Sequence, residues 1–241
     1  MKDENGGNLL EITPLPIDIT AEYNFKTVII GETGVGKSSI ISKGVNNIFN
    51  EDYKATICFD HTWKNYKVNN SKIRIQLWDT CGQEVYHSLI KNFYKSALCI
   101  FLVFSIENLE SFNKLSFWIN EIKDNINEGI IIFLIGNKKD KEKERKIEKG
   151  IIDDFISQNK IEKYIETSAA TGENINLLFE SAVNELYLRF VIPLMNGVNT
   201  VSSLLNTSNS IIGNDNENTS LNENIIITEN DNCKICNRCN C

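Results

Sequence analysis

Paired cysteines and long apolar runs, which mark secreted and membrane proteins, are scarce in this chain of 241 residues. Of its seven cysteines, Cys58, Cys81 and Cys99 lie singly and the other four fall in the last nine positions, so the disulfide framework of a small secreted fold is not expected. No apolar run reaches bilayer length, and the acidic, proline-interrupted segment 1–23 is unlike a signal peptide. These absences predict a protein that is made and kept in the cytosol.

Basic residues are also too few for a nucleic-acid footprint, which needs a basic face. The net charge is −7, of which residues 1–24 carry −4 and residues 191–241 carry −3. The final segment is rich in Asn and Ser, with only short apolar patches, which is typical of a disordered tail. We therefore predict an acidic N-terminal extension over 1–24, one folded domain over 25–190 and a disordered tail over 191–241.

The middle of the chain alternates strand-length apolar runs with stretches of helical periodicity. "FKTVIIG", "SALCIFLVFSI" and "GIIIFLIGN" are uniformly apolar, which predicts strands buried on both faces. "SKIRIQLWD" alternates instead, and the preceding "NNS" predicts a hairpin turn from "TWKNYKV". Helices are predicted over about 37–47, 109–127, 148–160 and 173–190, the last ending near Pro193. This order indicates a mostly parallel, three-layer α/β domain that binds ligands at the carboxyl ends of its strands.

The first apolar strand runs directly into "GETGVGKSS", residues 31–39. Gly31, Gly36, Lys37 and Ser38 fit the pattern of a phosphate-binding loop followed by a helix N-terminus. Glycines allow backbone N–H groups to surround a β-phosphate, the lysine supplies charge to the β- and γ-phosphates, and the serine offers a hydroxyl to Mg²⁺. An ordinary glycine-rich turn is the alternative, and the loop alone does not distinguish ATP from GTP.

Two later stretches select guanine. "NKKD", ending at Asp140, follows a buried strand, and this carboxylate can accept hydrogen bonds from both N1–H and the N2 amino group of guanine, a donor pair that adenine lacks. "TSAATG" also follows a strand, and the backbone N–H of Ala169 could donate to guanine O6. By itself "NKKD" would be a solvated lysine-rich turn, but its place in an ordered set makes it a base-binding motif.

The remaining motif, "WDTCGQE", follows the alternating strand. It places Asp79 at the strand end, where the carboxylate would hold Mg²⁺ through water, and continues to Gly82 and Gln83. Together the four motifs predict a site for a guanine nucleotide and Mg²⁺.

The set of motifs resembles the Ras superfamily of small GTPases over about residues 25–190, and within it the Rab family. "YKATICFDHTWK" and "IQLWDTCGQEVY" resemble the two Rab switches, "NFYKSA" the segment after them and "ETSAATGENI" the last guanine loop. The resemblance implies a P-loop GTPase domain with a mostly parallel six-stranded sheet and about five helices. It implies nucleotide contacts from Gly31, Thr33, Gly34, Val35, Gly36, Lys37, Ser38, Ser39, Phe49, Tyr53, Thr56, Gly82, Asn137, Lys138, Asp140, Ser168, Ala169 and Ala170.

The resemblance also assigns roles to single residues. Mg²⁺ would be held by Ser38, by Thr56 in the GTP state and by Asp79 through water, while Gln83 would orient the attacking water as the catalytic residue. Phe49 would stack on the base. Tyr53 would close over the phosphates, and Gly82 would contact the γ-phosphate through its backbone. The chain offers no arginine finger in cis, so slow hydrolysis that an activating protein accelerates is expected.

Some positions depart from the Rab pattern. Cys58 replaces a glycine, Cys81 an alanine, Val85 an arginine and Ala170 a lysine. The first three motivate an alternative, a pseudo-GTPase scaffold that binds nucleotide without cycling, and a Ras- or Rho-like signalling GTPase is a further alternative. Retention of Gln83, Thr56 and Asp79 favours a working switch.

The aromatic trio that Rab effectors read aligns with His61, Trp78 and Phe93. His61 would either select a different effector or make binding sensitive to pH. The alternative is a solvent-facing histidine on a strand.

The last nine residues, "CKICNRCNC", admit two chemical interpretations. Cys233, Cys236 and Cys239 have a spacing compatible with zinc, but a structural zinc site normally has a second, separated ligand pair. The Cys239 and Cys241 pair resembles the double prenylation signal of Rab proteins, and two lipid chains are what stable anchoring requires. The resemblance therefore implies a monomeric switch on the cytoplasmic face of an intracellular membrane, served by an exchange factor, an activating protein, effectors and prenyl-carrier proteins.

Overall fold

The computed structural model describes residues 10–50, 60–80, 96–125 and 129–197. Its strands are β1 (Ile12–Leu15), β2 (Tyr23–Gly31), β3 (Asp60–Val68), β4 (Ser71–Asp79), β5 (Cys99–Ser105), β6 (Ile131–Asn137) and β7 (Lys163–Glu166). Its α-helices are α1 (Lys37–Asn46), α2 (Leu109–Asn113), α3 (Leu115–Asn125), α4 (Lys149–Gln158), α5 (Ile175–Leu186) and α6 (Ile192–Met195). A 3₁₀ segment spans Lys139–Glu144 and a π segment spans Tyr187–Val191.

These strands form one sheet in the order β1-β3-β4-β2-β5-β6-β7. The pairs β1–β3 and β3–β4 are antiparallel and the other four pairs are parallel. The predicted α/β class and mostly parallel sheet are therefore confirmed. The described residues contain seven strands rather than six, because the segment assigned to the acidic extension contributes β1.

The core lies on both faces of the sheet, as the uniformly apolar runs predict. Every residue of β5 and of β6 is buried. One apolar cluster joins alternate strand residues to α1 and α5, and the other joins the remaining strand residues to α3 and α4. Burying a side chain of Leu or Phe size stabilises a fold by about 1.5–3 kcal/mol, so these layers hold the strand ends in place.

The hairpin of β3 and β4 also forms where the sequence predicts it. Val68 pairs with Ser71, and Asn69 in the turn takes φ 52°, a left-handed conformation that asparagine tolerates better than most residues. Ile73, Ile75 and Leu77 are buried on one face. The opposite face carries Arg74 and Trp78.

Residues 10–22, here called the strap, run along this hairpin. β1 pairs with β3 from Ile12 opposite Val68 to Leu15 opposite Asn65. Beyond β1, Asn65 Nδ2 donates to the carbonyls of residues 16, 17 and 19, at 2.8, 3.1 and 3.4 Å. Arg74 Nη2 donates to the residue 19 carbonyl at 2.9 Å. The strap is thus joined to the domain by main-chain pairing and by the side chains of Asn65, which is buried, and Arg74, which is half-buried.

The predicted helices are present, with small differences at their ends. The helix predicted over 109–127 is divided at Lys114 into α2 and α3. The last helix continues beyond 190 through the π segment to Met195, and Pro193 lies in the first turn of α6, where a missing N–H is tolerated. None of the helices in the described ranges is long and apolar enough to cross a membrane.

Candidate nucleotide-binding site

The sequence motifs meet at one edge of the sheet. β2 ends at Gly31, β4 at Asp79 and β6 at Asn137, and the loop after β7 begins at Thr167. Because these strands are parallel neighbours through β5, their carboxyl ends lie at the same edge. This edge, with the loops that leave it, is called the nucleotide edge below.

The glycines of the phosphate-binding loop are required by its backbone. Gly31 has φ 143°, and a Cβ there would lie 2.1 Å from the carbonyl oxygen of Val103. Gly36 has φ 96°, and a Cβ there would lie 2.4 Å from Asn137 Nδ2. The loop therefore packs so closely on β5 and on Asn137 that side chains are excluded from both positions.

Lys37 begins α1 directly after this loop and is only 6% exposed. Its Nζ donates to the carbonyls of Gly31 and Glu32, both at 2.9 Å, so the ammonium group lies against the loop. The first turn of α1 has no acidic residue and no side-chain cap. A helix start of this kind, with a lysine beside it, attracts phosphate.

Asn137 joins the phosphate-binding loop to the last predicted guanine loop. It is 1% exposed, and its Nδ2 donates to the Val35 carbonyl at 2.8 Å. Its Oδ1 accepts from Thr167 Oγ1 at 3.2 Å and from the Ala169 N–H at 3.3 Å. One buried amide thus holds together two loops that are distant in sequence, one at Val35 and the other at Thr167 and Ala169.

Asp140 lies exposed at the mouth of the edge. Its Oδ1 accepts a 2.5 Å hydrogen bond from the hydroxyl of Ser168, and that hydroxyl also accepts from the Thr171 N–H at 3.1 Å. Ala169 is buried and Ala170 is exposed beside it. The carboxylate is therefore attached to the loop that would surround a base.

Glu107 is a residue of this edge that the motif reasoning missed. Its Oε1 accepts from Lys138 Nζ and its Oε2 accepts from Lys141 Nζ, both at 2.7 Å. Partial burial alone would raise the pKa of Glu107, but the hydrogen bonds from the two lysines lower it. Its position just after the carboxyl end of β5 is the signal that could have identified it.

Arg145 is a second residue that the motif reasoning missed, and it connects the segment that carries Asp140 to the end of β7. Its Nη2 donates to Glu142 Oε2 at 2.7 Å and to Glu166 Oε2 at 2.8 Å. Glu142 belongs to the 3₁₀ segment that carries Asp140, and Glu166 ends β7. The hydrogen bonds that Arg145 donates, first to Glu142 and then to Glu166, raise the pKa of the guanidinium, so its charge is held there.

Asp79 and Ser38 are the described residues that the sequence assigns to Mg²⁺. Asp79 is 7% exposed at the end of β4, opposite Ile29 of β2, and Ser38 is exposed in the first turn of α1. Thr80 Oγ1 donates to the Ile29 carbonyl at 2.7 Å, which fixes the end of β4 against β2. A carboxylate and a hydroxyl fit Mg²⁺, which takes few protein ligands and adds water and substrate phosphates.

Two predicted effector residues lie together on the outer face of the hairpin. The rings of His61 and Trp78 stack with centroids 5.1 Å apart. Lys26 Nζ lies 4.5 Å from the centroid of the Trp78 ring. His61 is exposed, which fits both the effector interpretation and the solvent-facing alternative.

Phe49, predicted to stack on the base, is 37% exposed in the segment after α1. The remaining predicted site residues lie outside the described ranges. These are Tyr53, Thr56, Gly82, Gln83, Phe93, Cys239 and Cys241, together with the departures Cys58, Cys81 and Val85 and the cysteines Cys233 and Cys236.

Comparison with known proteins identifies the family. The model of the Ras family matches residues 26–188. Ras-related protein Rab-11C of Dictyostelium discoideum is 36% identical over 173 residues, which cover 72% of this chain and 77% of the relative. GTP-binding protein ypt3 of Schizosaccharomyces pombe is 34% identical over 69% of this chain and 77% of its own length. Ras-related protein Rab-13 of Bos taurus is 33% identical over 70% of this chain and 82% of its own.

The chain therefore belongs to the Ras family, and its relatives make it a Rab-like member. The predicted class, a Rab-like small GTPase of membrane trafficking, is confirmed at the level of the family.

Proposed function

We propose that this chain binds GTP and GDP with Mg²⁺ at the nucleotide edge and cycles slowly between the two states. The observation that carries the proposal is the position of Asn137, whose amide contacts both the phosphate-binding loop and the last predicted guanine loop, here called the Ala169 loop. Because the first loop suits phosphates and the second suits a base, a ligand held at both loops would have phosphates at one end and a base at the other.

The base end favours guanine. The Asp140 carboxylate stands exposed beside the Ala169 loop and is oriented by Ser168. It can accept from N1–H and from the N2 amino group of guanine, whereas adenine would leave it unpaired. Lys138 and Ala170 would line the base, and Phe49 would stack on it.

The phosphate end uses the loop and the start of α1. The backbone N–H groups of residues 33–39 and the Lys37 ammonium would contact phosphate oxygens. Ser38, Thr56 and Asp79 would hold Mg²⁺, which neutralises charge that develops on those oxygens. Gln83 would orient the attacking water, and loss of the γ-phosphate would release Thr56 and Gly82.

The GTP state would recruit effectors through His61, Trp78 and Phe93. Exchange factors and activating proteins would act in trans, since hydrolysis without them is slow.

Cys239 and Cys241 would each accept an isoprenoid, with the help of prenyl-carrier proteins, and so attach the chain to the cytoplasmic face of an intracellular membrane. Intact mass spectrometry of protein from native cells should show two isoprenoid groups; unmodified cysteines with stoichiometric zinc would contradict this assignment.

Calorimetry on the full chain with Mg²⁺ tests the nucleotide assignment. We expect GTP and GDP to bind with micromolar or tighter affinity, and ATP about a hundredfold more weakly, because adenine lacks the donor pair that the Asp140 carboxylate would accept from guanine. Asp140→Asn should weaken the affinity for guanine nucleotides and favour xanthine nucleotides. Equal affinity for ATP and GTP would overturn the proposal.

Gln83→Leu should bind GTP as tightly as the natural chain but retain it unhydrolysed in single-turnover assays.

A further inference from the structure

Glu107 holds both sides of the turn that carries Asp140. Lys138 precedes Asp140 by two residues and Lys141 follows it by one, and their ammonium groups contact the two oxygens of this single carboxylate at 2.7 Å each. The Glu107 side chain is 16% exposed, and the two lysine side chains are 30% and 44% exposed. Hydrogen bonds between such charged groups are stronger than neutral ones, and partial burial reduces their screening.

The backbone around Glu107 is itself fixed to β6 and to the end of the same turn. The N–H of Ile106 donates to the Asn137 carbonyl at 3.1 Å, and the carbonyl of Ile106 accepts from the Lys146 N–H at 2.9 Å. The next residue, Asn108, caps α2 by accepting from the Ser111 N–H at 3.2 Å. Glu107 is therefore a rigid attachment point rather than a mobile surface carboxylate.

The turn needs such an attachment because its backbone is unusual. Lys138 takes φ 66° and ψ 40°, a left-handed conformation that costs a non-glycine residue about 1–2 kcal/mol. Main-chain bonds support it at the Lys139 N–H, which donates to the Thr167 carbonyl at 3.0 Å, and at the Lys141 N–H, which donates to the Lys138 carbonyl at 2.9 Å. The contacts of Lys138 and Lys141 with Glu107 add side-chain support to this turn.

We propose that Glu107 is a positioning residue for guanine recognition. It draws the Lys138 ammonium away from the base, so that the aliphatic part of that side chain is free to line the ring, and through Lys141 it sets the position of the Asp140 carboxylate. This inference rests on the proposed function, because it assigns Glu107 to the same base site. The role belongs to a carboxylate of this chain that none of the four motifs contains.

The test is the rate at which the full chain with Mg²⁺ releases GDP and inosine diphosphate, which lacks the N2 amino group. Glu107→Gln, nearly identical in shape, should release GDP about three- to thirtyfold faster, since it loses two charge-assisted contacts. Its preference for GDP over inosine diphosphate should also fall, which a general loss of stability would not cause. Glu107→Asp, which keeps the charge on a shorter side chain, should be intermediate.

The matched control is Glu173→Gln. Glu173 binds Lys139, the neighbouring lysine of the same turn, at 2.6 Å, but its side chain is 49% exposed. This control should release GDP at the natural rate. Natural release from Glu107→Gln, or equal acceleration in both variants, would overturn the inference. If the natural chain binds no GDP, or Asp140→Asn changes nothing, the proposed function itself fails.

Discussion

The molecule uses the same device in two places, a buried asparagine whose amide joins separate segments of chain. Asn137 at the nucleotide edge and Asn65 under the strap are each 1% exposed. Asn137 donates to one carbonyl and accepts from a hydroxyl and an N–H. Asn65 donates to three strap carbonyls and accepts from Arg74 Nε at 2.9 Å. Buried amides need such partners, since an unsatisfied polar group costs about 1–3 kcal/mol.

The two sites differ in what happens if a partner leaves. The partners of Asn137 are Val35, Thr167 and Ala169, which are themselves buried, so water cannot easily replace them. The carbonyl partners of Asn65 belong to the strap, in which Pro16 and Ile17 are already exposed. One amide thus joins two loops of the proposed nucleotide site, while the other retains a segment that could be displaced.

The largest expected effect is at Asn137. Asn137→Ala would leave the Val35 carbonyl and the Ala169 N–H without their partner and would open a gap behind Gly36. We expect the free energy of unfolding to fall by about 3 kcal/mol and the affinity for GDP to fall by at least about a hundredfold. Urea unfolding and calorimetry measure the two quantities. A variant that binds GDP normally would show that Asn137 does not organise the site.

A smaller effect is expected at Asn65, and it should affect stability alone. Asn65→Ala frees strap carbonyls that can turn toward water, so the free energy of unfolding should fall by about 1–2 kcal/mol. GDP affinity should equal that of the natural chain, because the partners of this amide in the described ranges, three strap carbonyls and Arg74 Nε, do not belong to the nucleotide edge. A clear loss of GDP affinity in Asn65→Ala would remove the distinction between the two asparagines.

Sequence reasoning identified Asn137 but not Asn65, although their surroundings are physically alike. Asn137 lies in "NKKD", a motif with a chemical interpretation, whereas Asn65 lies in a strand where a polar residue is expected on the solvent face. Its burial depends on residues 46 to 49 positions earlier, and a pattern confined to one strand carries no sign of them.

The strap itself was missed for a related reason. The stretch "ITPLPID" contains two prolines, which argue against a strand, yet β1 is a short edge strand, the one place in a sheet where proline is tolerated. The alternating and uniformly apolar runs were predicted correctly because their burial follows from their own residues. Glu107 was missed because its role depends on two lysines more than 30 residues away.

The smallest expected effect is the coupling between the strap and Asn65, and it tests the comparison most directly. Removing residues 1–16 deletes β1 and one of the carbonyl partners of Asn65, so it should lower the free energy of unfolding of the natural chain. In the Asn65→Ala background the same deletion removes a segment that is already loosened. In that background the deletion should therefore lower the free energy of unfolding by about 1 kcal/mol less than it does in the natural chain, since the effects of changes in contacting segments are not additive.

The four proteins are the natural chain, Asn65→Ala and the deletion of residues 1–16 in each of these two backgrounds. Urea unfolding at one saturating concentration of GDP measures the difference, because bound GDP adds equally to the free energy of unfolding of each. Asn137→Ala supplies the control background, since it lies away from the strap and should leave the cost of the deletion unchanged. Additive losses in the Asn65 background would mean that the Asn65 amide does not retain the strap. A coupling of the expected size would establish that the buried amide of Asn65 retains the strap across the outer face of the hairpin, the face that also presents His61 and Trp78.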